Sequence, residues 1–344
     1  MAKGIIVMTA MPPSEGHAFL VDFASRYMEF NYPGEMLHVI ICARPHEPIS
    51  GEQRAIAFRK RFRDQNVWVH HRMSFDPQYQ AEHPQFWDFW RNVVTSKINS
   101  IEPEDILFTS DSYGVEFAKQ LGCRFIPCDP ARGIIDVSAT QIRTDPVENF
   151  GLMMPEFSDS LRHTVTFFGA ESTGKTSMSK YMAKTMNGHW CHEWARPYLE
   201  MCGAEVTDEK MANIIAGQHA SQMAVAAMKG KPFVFQDTDY LSTVGYYRIY
   251  GGQQPEAVNT SLMVQSDLYI VMNSAIPFEP DALRYGGDRR ESSDRFWTDI
   301  LEEHGKRYHM VRQNDLHAQR AEIRGVLQKL FHEKTDWSWF KREK

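Results

Sequence analysis

Residues Gly169-Ala-Glu171-Ser172-Thr173-Gly174-Lys175-Thr176 form a complete G-x-x-x-x-G-K-[ST] phosphate loop in the middle of the chain. Its glycines allow a turn that points backbone N–H groups at phosphate oxygens, and a helix starting there adds positive potential. Lys175 is placed to reach the β- and γ-phosphates, and the Thr176 hydroxyl to ligate Mg²⁺. Gly169, Glu171, Ser172, Thr173, Gly174, Thr176 and Ser177 are the expected ATP-binding residues around it. The motif requires a strand before it and a helix after it. His163–Phe168 is an apolar, β-type run and Ser177-Met-Ser-Lys-Tyr-Met-Ala-Lys184 is helix-like, so the chain is expected to handle a nucleoside triphosphate.

A phosphate loop does not name its acceptor. Phe233-Val-Phe-Gln-Asp237-Thr238-Asp239-Tyr240 reads as an apolar strand ending in two acids. Asp237 is placed to hold Mg²⁺ or its water, and Asp239 to reach the acceptor. His192-Glu193-Trp194-Ala-Arg196-Pro-Tyr198 follows the loop by about twenty residues. There Glu193 can bond a ribose hydroxyl or accept its proton, and Trp194 or Tyr198 can stack on a base.

A second group of candidates lies near the N-terminus. An apolar run leads into Thr9-Ala-Met-Pro-Pro-Ser14-Glu-Gly16-His17 and then a helix, which sets backbone donors and an imidazole where a triphosphate could sit. Val137-Ser138-Ala-Thr140-Gln-Ile-Arg143 offers two hydroxyls and a guanidinium at another helix start. Arginine grips phosphate in bidentate fashion, and such donors answer the charge that builds up in phosphoryl or adenylyl transfer.

Both groups need a scaffold that alternates strands and helices. In the first half, strands are predicted at 4–9, 37–43, 67–70, 106–109 and 124–127, with helices at 16–30, 52–63 and 85–98 between them. In the second half, strands are predicted at 163–168, 232–236, 267–271 and 307–311. This alternation predicts parallel α/β sheets that place ligands at the carboxyl ends of strands. A chain of 344 residues is long for one domain. The proline- and acid-rich stretch from Asp145 to Pro155 separates the halves, giving domains of 1–155 and 160–335.

The formal net charge of −6 argues against a primary role on nucleic acid, which needs a basic face. Five cysteines without C-x-x-C spacing read as reduced thiols, and no apolar run approaches a membrane span. A soluble, cytoplasmic protein without membrane or nucleic-acid partners is expected, with homo-oligomerisation left open.

Pro12-x-Ser14-x-Gly16-His17 together with Ser138-x-Thr140-x-x-Arg143 resembles the paired signature of nicotinamide-mononucleotide adenylyltransferases, G-x-F-x-P-x-H-x-G-H and [IV]-S-x-T-x-x-R. The intervening segments are also similar: Ala43-Arg44-Pro-His46-Glu47-Pro48, Gln53-Arg54, Asp76-Pro77-Gln78, His83-Pro-Gln-Phe-Trp87, Thr109-Ser110-Asp111-Ser-Tyr113-Gly114 and Asp129-Pro-x-Arg132. The resemblance implies that His17 and Arg143 act in catalysis, that Ser14, Gly16, Ser138 and Thr140 bind ATP, and that Trp87 offers a platform for a nicotinamide ring. Trp87 and Trp90, three apart on a helix, read equally as a core face. Met8, Ala10 and Ser14 depart from the signature, Ser14 standing at the first of the family's two histidines. Loss of one transition-state donor costs about 10²–10³ in rate.

The second half resembles the ribosylnicotinamide kinase domain of NadR-type bifunctional proteins, through Glu193-Trp194-Ala-Arg196 and Asp237-Thr-Asp239. That implies catalytic roles for Lys175, Glu193, Asp237 and Asp239, nicotinamide or ribose contacts at Trp194, Arg196 and Tyr198, and metal ligation by Thr176 and Asp237. Asp281-Ala-Leu-Arg284-Tyr-Gly-Gly287-Asp-Arg289-Arg290 resembles the family's basic lid, with Arg289 and Arg290 against ATP phosphates.

The fold implied is a Rossmann-like nucleotidyltransferase domain followed by a P-loop kinase domain. The implied activity is phosphorylation of ribosylnicotinamide and adenylation of the resulting nicotinamide mononucleotide (NMN) to NAD, with ATP and Mg²⁺. The chain begins almost at its first strand, so no repressor function is expected. The aromatic, basic tail from Trp337 to Lys344 carries no assigned role. Two alternatives stay open: a coenzyme A-pathway adenylyltransferase–kinase fusion, and a kinase whose first domain only senses NAD or ATP.

Overall fold

A computed structural model of the chain describes residues 2–77, 80–205, 207–250, 265–275 and 294–342. It divides into two compact units, Met1–Ser160 with Thr335–Lys344, and Leu161–Lys334. Each is an α/β layer structure around a five-stranded, all-parallel sheet.

The first unit runs β1 (Gly4–Met8), α1 (Glu15–Asn31), β2 (Leu37–Ala43), α2 (Gly51–Arg61), β3 (Val67–Met73), α3 (Phe86–Ile98), β4 (Ile106–Thr109), α4 (Gly114–Leu121), β5 (Arg124–Pro127), α5 (Ala139–Thr144) and α6 (Pro155–Ser158). Sheet order is β3-β2-β1-β4-β5. All seven residues of β2 are buried, which is why this strand reads as a continuous apolar run rather than an alternation. The order reverses between β1 and β4, where Ile5 sits opposite both His38 and Leu107. The turn after β1 therefore opens at the switch point of the sheet, where doubly wound folds bind ligands.

The second unit runs β6 (His163–Phe168), α7 (Lys175–Thr185), β7 (Gly188–Cys191), α8 (Ala195–Cys202), α9 (Asp208–Ala227), β8 (Phe233–Asp237), α10 (Tyr240–Tyr250), β9 (Leu268–Val271), α11 (Asp294–Glu303), β10 (Tyr308–Met310) and α12 (Leu316–Glu333). Sheet order is β10-β9-β6-β8-β7, with β6 at the centre. Phe168 at its end packs edge-on against Tyr269 and Trp297, at 5.6 and 5.4 Å between ring centroids. That aromatic cluster anchors the strand feeding the phosphate loop.

Two features differ from the sequence expectation. β7 lies where the sequence shows no strand pattern, because Gly-His-Trp-Cys is too short and too mixed to carry a period. The tail folds into a final helix, α13 (Trp339–Arg342), and belongs to the first unit although the chain reaches it from the second. The basic segment with Arg289 and Arg290 lies outside the described residues. No described helix is long and apolar enough to cross a membrane.

Candidate active sites

In the first unit, a cavity of about 630 Å³ is walled by the turn after β1, the ends of β4 and α3, and the segment entering α5. Ser14, Gly16 and His17 line one side, Trp87 lies at the apolar end, and Ser110, Arg132 and Ser138 close it. Gly16 is where the two motifs meet: a Cβ there would fall 2.9 Å from the Val137 carbonyl oxygen. Trp87 packs against Phe117 at 5.8 Å. Its neighbour Trp90 is buried, with Nε1 donating to the Pro77 carbonyl at 3.2 Å. Both tryptophans line the cavity, Trp90 from a more deeply buried position.

Ser14 caps α1 and His17 closes the box in return. The Ser14 backbone N–H donates to His17 Nδ1 at 3.3 Å, and Ser14 Oγ lies 2.7 Å from the same nitrogen. A backbone N–H can only donate, so Nδ1 is the acceptor and the ring proton sits on Nε2. Burial, followed by the charges of Arg132, Arg143 and Arg54, pushes the His17 pKa down to about 4. A neutral imidazole with one free N–H donor results, fixed by the serine that replaces a histidine of the signature.

Ser138 reaches the cavity wall, but its hydroxyl also caps α5 by accepting from Gln141 N at 3.0 Å. Thr140 and Arg143 stand behind that wall. Arg143 donates to the Met11 carbonyl at 2.6 Å and to Thr140 Oγ1 at 2.9 Å. It is joined there by Arg54, which is fully buried, donates to the Thr9 carbonyl at 2.9 Å and pairs with Glu47 at 2.5 Å. Two guanidinium groups therefore hold the turn Thr9–Met11 from below. Arg54 and Arg132 received no site role from the sequence, since they stood out only as parts of similar segments.

In the second unit, Gly169 has φ +124°, and a Cβ there would lie 2.9 Å from the Met272 carbonyl oxygen. No other residue fits that close passage without strain. Ser172 and Gly174 also take positive φ, and buried Thr173 closes the loop through Oγ1 to the Ala170 carbonyl at 2.9 Å. Lys175 is almost fully buried; its Nζ donates to the carbonyls of Gly169 at 3.0 Å and Ala170 at 2.6 Å, with the Tyr246 hydroxyl at 3.4 Å. Thr176 and Ser177 are exposed at the loop mouth, and Glu171 is half-buried.

Asp237 ends β8 and is 1% exposed, with neither carboxylate oxygen hydrogen-bonded among the described residues. Burial raises its pKa, opposed by the nearby Thr176 hydroxyl and the Lys175 charge. An unsatisfied buried carboxylate beside a phosphate loop fits a divalent cation shared with nucleotide phosphates. No group of three or more His, Cys, Asp or Glu side chains suited to a metal exists among the described residues, so such an ion would depend on those phosphates.

The adjacent acid behaves differently. Thr238 takes φ +76°, a costly conformation for a β-branched residue, and this kink turns Asp239 away. Asp239 accepts from the Tyr269 hydroxyl at 2.5 Å and the Ser242 backbone at 3.2 Å. Glu193 takes its place near Asp237. β7 pairs with β8 through Cys191 and Gln236, so the residues just past each strand are neighbours. Burial first and the Asp237 charge second raise the Glu193 pKa, with Lys175 and Arg196 opposing.

Trp194 and Tyr198 stack on each other at 4.7 Å and 21°. Trp194 lies over Gly217, where a Cβ would come within 2.5 Å of the indole. Two buried glutamines one turn apart on α9, unnoticed in the sequence, support these loops. Gln218 accepts from Trp194 N at 2.8 Å, and Gln222 donates to Gln236 at 2.9 Å.

Burial also holds His70 and His163 near pKa 4. With His17, these imidazoles fold neutral and must gain protons to unfold in acid. A folded pKa below the unfolded one means stability complete above about pH 6.5 and lost as pH falls toward 4. Thermal unfolding should therefore move to lower temperature through that window. A melting temperature flat between about pH 7 and 4.5 would contradict neutral burial.

The family profile of an AAA domain matches residues 164–320. The trifunctional NAD biosynthesis/regulator protein NadR of Escherichia coli is 25% identical over 259 residues, covering 73% of this chain and 62% of that protein. NadR of Salmonella typhimurium is 22% identical over 333 residues, covering 91% and 79%. The chain thus spans under two thirds of the E. coli protein. The crystal structure of a NadR protein in complex with NR superposes with TM-score 0.51 at 22% identity, covering 97% of this chain and 96% of the other. A NadR structure in complex with NAD and AMP-PNP gives 0.50. The chain is a distant homologue of NadR with the same two-part fold, one parallel α/β unit after another, the second carrying the phosphate loop.

Proposed function

We propose that the chain makes NAD from ribosylnicotinamide in two ATP-dependent steps, one in each unit. The observation that carries the reading is the buried Asp237, whose carboxylate oxygens accept no geometric hydrogen bond among the described residues, set beside the phosphate-loop lysine and the raised carboxyl of Glu193. That constellation suits transfer of a γ-phosphoryl group to a hydroxyl, which needs positioning and countercharge rather than covalent catalysis.

In the second unit, Lys175 and the loop N–H groups hold the transferring phosphate. Glu193, its proton affinity raised by burial, accepts the proton of the ribose 5′-hydroxyl as the O–P bond forms and ADP leaves. Arg196 steadies the acids, and the Trp194–Tyr198 stack offers an aromatic face for the nicotinamide ring. Asp239, with both oxygens engaged, positions α10 rather than the acceptor. Thr176 and Asp237 would hold Mg²⁺, which supplies neutralising charge on the phosphates.

In the first unit, NMN phosphate attacks the α-phosphorus of ATP and pyrophosphate leaves. His17 donates Nε2–H to the phosphates, Ser14 fixes its tautomer, Gly16 and Ser138 wall the triphosphate, and Trp87 flanks the nicotinamide ring. Thr140 and Arg143 secure the turn and add positive potential.

A second reading rests on Ser14: the kinase works, while the first unit binds NAD or ATP without turnover. Incubation of the chain with ribosylnicotinamide, ATP and Mg²⁺, followed by chromatography, separates the readings. NAD is the expected product. NMN alone selects the second reading, and neither product moves coenzyme A precursors to the front.

A further inference from the structure

We propose that the C-terminal segment is a working part of the adenylyltransferase site, with Phe340 positioning Arg143; this rests on the reading of the first unit given above. The segment leaves the second unit at Lys334 and is counted wholly with the first from Thr335 onward. A four-residue helix has no stability of its own in water, so tertiary contacts must hold α13 in place. Trp337 and Phe340 are 2% and 7% exposed, a degree of burial that a solvent-facing tail would not show.

Two of the tail's aromatic rings reach the machinery behind the cavity. The Arg143 guanidinium carbon stands 5.6 Å from the centroid of the Phe340 ring. The edge of that guanidinium is committed to the Met11 carbonyl and Thr140 Oγ1, leaving its face to the phenyl ring. Trp339 lies 5.9 Å from the His46 ring, which is stacked at the same distance on Phe75. His46 is next to Glu47, and Glu47 pairs with the Arg54 that holds the Thr9 carbonyl.

Both contacts therefore converge on one turn, Thr9–Met11, which leads into Ser14 and His17. Phe340 removes water from one face of Arg143 without offering a competing acceptor. A guanidinium so placed is held in one direction, and a desolvated cation–π contact strengthens that hold. The tail reaches this arrangement only after the whole second unit has been traversed, so its effect on the first site is invisible in either sequence motif.

The test uses full-length variants assayed separately for adenylation of NMN and for phosphorylation of ribosylnicotinamide. Phe340→Leu keeps apolar bulk and loses the π face. It should lower kcat for NAD formation about 5- to 30-fold, the worth of one such contact, with the KM for NMN and the kinase rate unchanged. Phe340→Tyr should retain the wild-type rate, since it restores the ring. Adenylation by Phe340→Leu equal to wild type overturns the inference, as does an equal loss in Phe340→Tyr, which would mark a packing role alone. A wild-type chain that makes no NAD from NMN and ATP fails at the earlier step and removes the functional reading together with the inference.

Discussion

Substitution of Lys175 by methionine should reduce ribosylnicotinamide phosphorylation by about 10³-fold while adenylation of NMN continues at its wild-type rate. The magnitude follows from the position of the charge. Nζ sits in a cradle of loop carbonyls, 8% exposed, where low dielectric makes each countercharge worth more than in water. Removing it also takes from Asp237 and Glu193 one of the cations that oppose their raised pKa values, so both drift further toward the neutral acid. Methionine preserves the length and apolar stem, so the loop should stay folded, and an unchanged melting profile confirms that. Initial rates of NMN formation measure the loss. A variant within tenfold of wild type would mean that the phosphate loop is not the kinase site. Equal losses in both activities would mean that the two sites are not separate.

His17→Ala should act on the other reaction alone, lowering NAD formation from NMN and ATP by about 10²–10³-fold, the usual cost of one transition-state donor. Part of the cost is structural, because His17 returns the Ser14 cap at the start of α1, and losing a cap destabilises by about 1 kcal/mol. His17→Gln separates the two contributions, since glutamine at that position can return the cap and still offers an N–H. It should recover stability fully and activity in part. The pH profile carries the sharper signature. With its pKa near 4, His17 is neutral throughout the working range, so the wild-type adenylation rate should show no acid limb near 6.5. A limb there would mean that His17 acts as a cation, and the serine-fixed tautomer would lose its purpose.

Much of both sites is legible in the sequence because it is local. The phosphate loop is one contiguous run whose glycines answer to backbone torsion, Gly169 at φ +124° and Gly174 at +82°. The Ser14–His17 box closes within one helical turn, and the alternation of apolar runs with amphipathic stretches identifies two parallel α/β units. These features follow from steric and hydrogen-bonding rules that operate over a few residues.

The remainder depends on which segments become neighbours. Asp237 and Asp239 look like a pair in the sequence, yet the kink at Thr238 sends one to the phosphate loop and the other to Tyr269. Glu193 joins Asp237 only because β7, too short to register as a strand, lies beside β8. Arg54 is an ordinary charge on a helix until burial commits it to Glu47 and the Thr9 carbonyl. Phe340 meets Arg143 across almost two hundred residues of chain. Local sequence determined that this protein folds as two parallel-sheet units, one of them opened by a phosphate-loop motif. Tertiary structure decided which acids, arginines and rings act together, because burial and cross-strand adjacency belong to pairs of segments and are written in neither one alone.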